Sequence, residues 1–181
     1  MSEQTTPTAE ASVATVINSV REFLEKFEAN TDPAFWIKLV EEEMKELIEA
    51  AEAFNENDTH ETRVHMLKEV SDLAYVWAGF TITLDALVSK GENEITDEER
   101  DFFIAAAILG SQVQHMFLQI APLYTTHARN EAFARVHASN MSKLDDEGKP
   151  IKREDGKVMK GPNYKPPVLD DLIVMPARVL N

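Results

Sequence analysis

For most of its length this chain contains almost nothing that would interrupt a helix. Only six Gly and eight Pro occur in 181 residues, and most of the prolines lie beyond Gly148, so the first two thirds can run as long helices. Val13, Val16, Ile17, Val20, Phe23, Leu24 and Phe27 recur at steps of three and four, the spacing of an amphipathic helix. Asp32 and Pro33 read as N-cap and first residue of a second helix, whose stripe is Trp36, Ile37, Val40, Met44, Leu47, Ile48, Ala51 and Phe54. Thr59 or His60 opens a third, carrying Val64, Met66, Leu67, Val70, Leu73, Trp77, Phe80, Leu84 and Leu87 and closing at Gly91. Thr96 with Glu99 is a capping-box match for a fourth, whose apolar residues from Phe102 to Ile120 keep helical spacing until Pro122. A shorter helical piece, residues 129–138, leads to Asn140. The expected fold is therefore all-α, a bundle of four or five helices over residues 10–142, with a flexible stretch at residues 1–9.

From residue 143 onward the composition changes. Residues 143–181 form a basic, turn-rich arm in which Gly148, Gly156, Gly161 and several prolines break any helix, and Asp155-Gly156 between short runs is a hairpin signal. The arm contrasts with the rest of the molecule, since 18 Lys+Arg stand against 32 Asp+Glu for a formal charge of -14. That balance argues against wrapping nucleic acid or lying on an anionic membrane. The absence of cysteine removes disulfide scaffolds, thiolate metal sites and cysteine nucleophiles. The N-terminal residues show no basic and apolar segments of a secretory signal, so a cytoplasmic location is the expectation.

Certain acids fall inside the apolar stripes. At about 100° per residue, Glu43 lies within the apolar arc of the second helix and Glu46 at its edge, while Glu42, Lys45 and Glu49 project away. On the third helix Glu69 falls between Leu73 and Val76, with Asp72 at the margin. A lone buried carboxylate costs several kcal/mol or takes up a proton, roughly speaking. Four acids converging between two helices call for a counter-charge, and a hard divalent cation such as Mg²⁺ suits oxygen donors at i and i+3 on adjacent helices. No lysine on Glu43's own helix face is placed to neutralise it. The five histidines fit neither the Glu-x-x-His pairs of di-iron bundles nor a zinc-hydrolase motif. They read as surface or satisfied core positions, and His137 is set apart by its closeness to Asn140. The competing reading is a helical interaction module whose acids are a solvated surface.

Glu42-Glu43-x-x-Glu46, 22 intervening residues, then Glu69-x-x-Asp72 resembles the EExxE…ExxD signature of the all-α nucleoside triphosphate pyrophosphohydrolases, the MazG-like superfamily. Val136 to Lys143, followed by Lys160-Gly161-Pro162-Asn163-Tyr164, is similar to the tail of its phosphoribosyl-ATP pyrophosphohydrolase-like branch. The resemblance spans most of residues 35–170. It implies a Mg²⁺-dependent enzyme, with Mn²⁺ as a substitute, cleaving a nucleotide between its α and β phosphates to a nucleoside monophosphate and pyrophosphate. It implies Glu43, Glu46, Glu69 and Asp72 as metal ligands, with Glu42 and Glu43 in catalytic roles, although the helical wheel turns Glu42 outward. A dUTP or noncanonical nucleotide is the favoured substrate and phosphoribosyl-ATP the runner-up.

Phosphates need cations that an acidic bundle lacks, and Lys143, Lys149, Lys152, Arg153, Lys157 and Lys160 on and beside the arm can supply them. Asn140 and Lys143 match the family's Asn-x-x-Lys step. Trp36, Trp77 and Phe80 sit on helical stripes and read as core, whereas Tyr164, outside the stripes, is the candidate to stack on a base. The apolar first and fourth helices exceed what one two-helix site covers, so self-association, as a homodimer or dimer of dimers, is expected.

Overall fold

The computed structural model describes residues 9–89 and 96–174. Its helices are α1 (Ala9–Lys26), α2 (Pro33–Glu56), α3 (His60–Val88), α4 (Asp97–Ile120) and α5 (Thr126–Met141), and among the described residues no strand forms. The all-α expectation holds. Gly91, the expected end of the third helix, and residues 1–8 of the expected flexible stretch lie outside the described residues; the helix is seen as far as Val88, with Ser89 as its cap.

The starts of the helices are set by local chemistry. Asp32 accepts a hydrogen bond from the Ala34 amide at 2.9 Å ahead of Pro33, whose missing N–H costs nothing at this position. Thr59 and Thr62 cap α3 reciprocally, and Thr96 and Glu99 do the same for α4. α5 is longer than the expected piece at residues 129–138. Thr125 accepts from the Ala128 amide at 3.1 Å and so starts the helix earlier, and the helix runs on to Met141, which puts Asn140 on its last turn.

α3 is the central element and buries residues on nearly every face, from Met66 through Phe80 to Thr83. Its buried hydroxyls are satisfied along the helix, Ser71 donating to the Leu67 carbonyl and Thr83 to that of Gly79. One side packs with Trp36, Val40 and Leu47 of α2 and Leu109 and Val113 of α4, and the other with Val20, Phe23 and Phe27 of α1 and Phe133 and Val136 of α5. Each fully buried large side chain contributes about 1.5–3 kcal/mol. Ile48, expected in the α2 stripe, is instead exposed. α2 and α3 run antiparallel: Trp36 meets Gly79, Glu43 faces Asp72, and Phe54 lies under Arg63. The short connection of residues 57–59 permits no other arrangement.

The arm makes two tight turns rather than a continuous hairpin. One joins Leu144 to Pro150 and the other Lys152 to Val158, each an isolated antiparallel bridge. Gly148 and Gly156 take the positive φ values of 76° and 91° that these turns require. The second turn crosses the α1–α2 connection, where Lys152 donates to the Glu28 carbonyl at 2.7 Å. Farther on, buried Leu169 and a bidentate Arg135–Asp171 pair hold the chain against the bundle.

Candidate functional site

The antiparallel register of α2 and α3 places Glu43 opposite Glu69 and Asp72, one turn apart on α3. One carboxylate oxygen from each lies within 4.8 Å of the others. Glu69, between Leu73 and Val76 on the wheel, is 3% exposed, and Asp72 at the arc's margin is half-buried. Glu46, one turn on from Glu43, is exposed and stands outside this triad, although its charge acts on both Glu43 and Glu69.

One cation is built into the cluster. Lys68 donates to the Glu69 oxygens at 2.9 and 3.1 Å and to Asp72 Oδ2 at 2.8 Å, and His65 Nε2 sits 3.1 Å from Glu69 Oε1. Lys68 is not among the residues expected from the sequence, since it lies on the helix facing Glu43, although its i,i+4 spacing from Asp72 on α3 is a signal for the pair. Burial opposes the charge on Lys68, but Asp72 and Glu69 outweigh it and hold the ammonium above its ordinary range. One ammonium against three carboxylates leaves the cluster undercompensated. Burial first, then the charges of Asp72 and Glu46, pushes the Glu43 carboxyl up from 4.5 to about 8. Burial likewise raises Glu69, against the pull of Lys68. A half-buried set of hard oxygen donors, converging and short of positive charge, could hold a metal ion, with Glu43, Glu69 and Asp72 as its holders.

This cluster carries a prediction for pH. Glu43 has a folded pKa above its unfolded one, so between 4.5 and about 8 the folded protein holds a proton that the unfolded chain releases. In chelator, stability is therefore expected to fall as pH rises through that window, by on the order of 5 kcal/mol, and to level off above it. Thermal unfolding from about pH 5 to about pH 8.5 checks the sign, and Mg²⁺ should flatten the slope by displacing that proton.

Glu43 and Asp72 open onto a pocket that is continuous with solvent. Phe23, Phe35, Trp36, Leu39 and Tyr75 line it with apolar surface, while Asn140, Lys143 and Lys157 bring polar groups to it. Burial lowers the pKa of Lys143, with Lys160 and Lys157 adding to the effect while Asp72 and Glu43 oppose it. The Tyr75 hydroxyl meets His137 Nδ1 at 3.1 Å and the Asn140 side chain, so His137 reaches the pocket only through Tyr75.

The structure thus brings together Glu43, Glu69, Asp72, Asn140 and Lys143. Lys157 also lines the pocket, whereas Glu42, Glu46, Lys149, Lys152, Arg153, Lys160 and Tyr164 are not among its lining residues. Glu42 is exposed and ion-paired with Lys157 across the mouth. Lys152 holds the α1–α2 connection, and Arg153 is paired with Asp155 in its own turn. Lys160 lies over the Tyr164 ring at 4.8 Å, a cation–π contact that covers one face of the ring expected to stack on a base. Phe23, Phe35 and Tyr75 were missed as pocket residues, because an aromatic on a helical stripe looks the same in sequence whether it faces core or cavity.

Fold and cluster together define an all-α protein with a buried acidic triad able to hold a metal ion. No protein-family model matches the chain, and no significant match is found among curated protein sequences or solved structures.

Proposed function

We propose that the protein is a Mg²⁺-dependent nucleotide pyrophosphohydrolase that cleaves a nucleoside triphosphate, dUTP or a noncanonical nucleotide being favoured, between the α and β phosphates. The observation that carries this reading is the acidic triad opening onto a pocket lined by both lysines and aromatic rings. A nucleotide uses both kinds of lining, its polyanionic phosphates meeting cations and its flat, weakly polar base meeting aromatic rings. The motif resemblance in Glu42 to Asp72 and Asn140 to Lys143 points the same way.

In this reading Glu43, Glu69 and Asp72 hold the cation, and Lys68 keeps the two α3 carboxylates oriented. The bound cation supplies charge neutralisation at the phosphate oxygens and a lowered pKa for water. Lys143 and Asn140 bind the phosphate chain beside the triad, with Lys157 adding positive charge once freed from Glu42. Phe35, Trp36 and Tyr75 exclude water and receive the base. A pyrophosphate-release screen over canonical, deoxy and modified nucleotides with Mg²⁺ or Mn²⁺ tests the activity, and no turnover across that panel retires the enzyme reading. Lys143→Ala is expected to lower turnover by about 100-fold while leaving the Mg²⁺-linked rise in melting temperature intact, which separates phosphate binding from metal binding.

A further inference from the structure

The three carboxylates of the triad are not equally available. Glu43 and Asp72 line the pocket, whereas Glu69, Lys68 and His65 do not. Both oxygens of buried Glu69 already face protein donors: Lys68 gives hydrogen bonds to Oε1 at 2.9 Å and Oε2 at 3.1 Å, and His65 Nε2 lies 3.1 Å from Oε1. The same ammonium donates to Asp72 Oδ2 at 2.8 Å. Lys68 precedes Glu69 and stands one turn before Asp72, so α3 itself sets this bridge. By contrast, Glu43 and Asp72 Oδ1 make no hydrogen bond among the described residues. A positive charge in contact with three oxygens of two carboxylates stands where a cation shared by Glu69 and Asp72 would stand.

We infer that Lys68 takes the place of a second metal ion, so that the triad holds one divalent cation and not a pair. The inference rests on the reading that Glu43, Glu69 and Asp72 hold a metal, and goes beyond it by setting the number of ions. Carboxylates on facing helices can hold two ions about 3.5–4 Å apart that share oxygens. Here the donors run short. A carboxylate has about four lone-pair sites, and on Glu69 the Lys68 and His65 contacts occupy most of them. Glu46, the fourth acid nearby, is exposed and outside the triad. Charge acts in the same direction, because an ammonium and a further dication about 4 Å apart repel strongly in a half-buried setting. Lys68 is thus a positioning residue, touching the holders of the ion and not the pocket. A phosphate chain bound there meets a single dication, and the ammonium groups of Lys143 and Lys157 supply the positive charge that a second ion would bring.

Counting Mn²⁺ ions tests this without substrate. Chelator-stripped protein at known concentration is titrated with Mn²⁺ and followed by electron paramagnetic resonance. The wild type is expected to bind one ion per chain, with the spectrum of an isolated ion. Lys68→Met keeps the stem of the side chain and deletes its charge, which frees Glu69 and Asp72 Oδ2. It should bind two ions and show the exchange-coupled spectrum of a pair about 4 Å apart. Lys68→Arg keeps the charge and should stay at one. Circular dichroism confirms that each variant is folded; if Lys68→Met is not, the counts for the wild type and Lys68→Arg still decide. Two ions in the wild type or in Lys68→Arg, or a single ion in folded Lys68→Met, would overturn the inference and leave the metal reading standing. A wild type that binds no Mn²⁺ would overturn both.

Discussion

Asp72→Asn is expected to reduce nucleotide turnover by roughly 1,000-fold or more, the scale on which a preorganised electrostatic group acts, and to remove the Mg²⁺-linked rise in melting temperature. The substitution keeps the shape of the side chain and deletes one anionic donor from a cluster whose oxygens converge within 4.8 Å. Stability in chelator should change by no more than about 1 kcal/mol, because losing the Lys68 contact at 2.8 Å is offset by relief of the repulsion that lifts Glu43. A purely structural ion pair predicts the reverse pattern, a loss in chelator and indifference to the cation. Melting curves with and without Mg²⁺, beside pyrophosphate release, distinguish the two.

The second large effect concerns Gly79, which allows α2 to lie close to α3. A Cβ built there would stand 2.1 to 2.6 Å from three atoms of the Trp36 ring, well inside contact distance. Trp36 cannot simply swing away, being 2% exposed with its indole N–H donating to the Asn30 carbonyl at 2.7 Å. Alanine improves helix propensity by about 1 kcal/mol at most, while overpacking costs about 1–3 kcal/mol and the lost indole bond adds to it. Gly79→Ala is therefore expected to destabilise by about 2–3 kcal/mol in urea titrations, and to impair the pocket, one wall of which is Trp36. Trp36→Phe in the same background should recover part of the loss, since the two positions share one contact. A stabilised Gly79→Ala would mean that α2 and α3 lie farther apart.

Much of the fold was legible because its determinants are local. The Asp32-Pro33 start and the Thr96–Glu99 box act within one turn, and the stripe of α3 records a helix surrounded on nearly all sides. The inward placement of Glu43 and Glu69 followed from angle alone. Partners from other elements were not legible. Lys157 reaches Glu42 from a turn whose course depends on where the arm crosses the α1–α2 connection. Tyr164 stood out for lying off the stripes, yet that same freedom lets Lys160 cover it. The extension of α5 to Met141 mattered most for the pocket, since it fixes Asn140 on a helix end beside Lys143.

The central claim is that Glu43, Glu69 and Asp72 share a divalent cation, and manganese reports on this without any substrate. Titrating Mn²⁺ into the chelator-stripped protein while following the free-ion signal by electron paramagnetic resonance should show saturable binding in the wild type, displaced by Mg²⁺ and lost in Glu69→Gln. A free-ion signal unaffected by the wild-type protein, or equal binding in the variant, would contradict it.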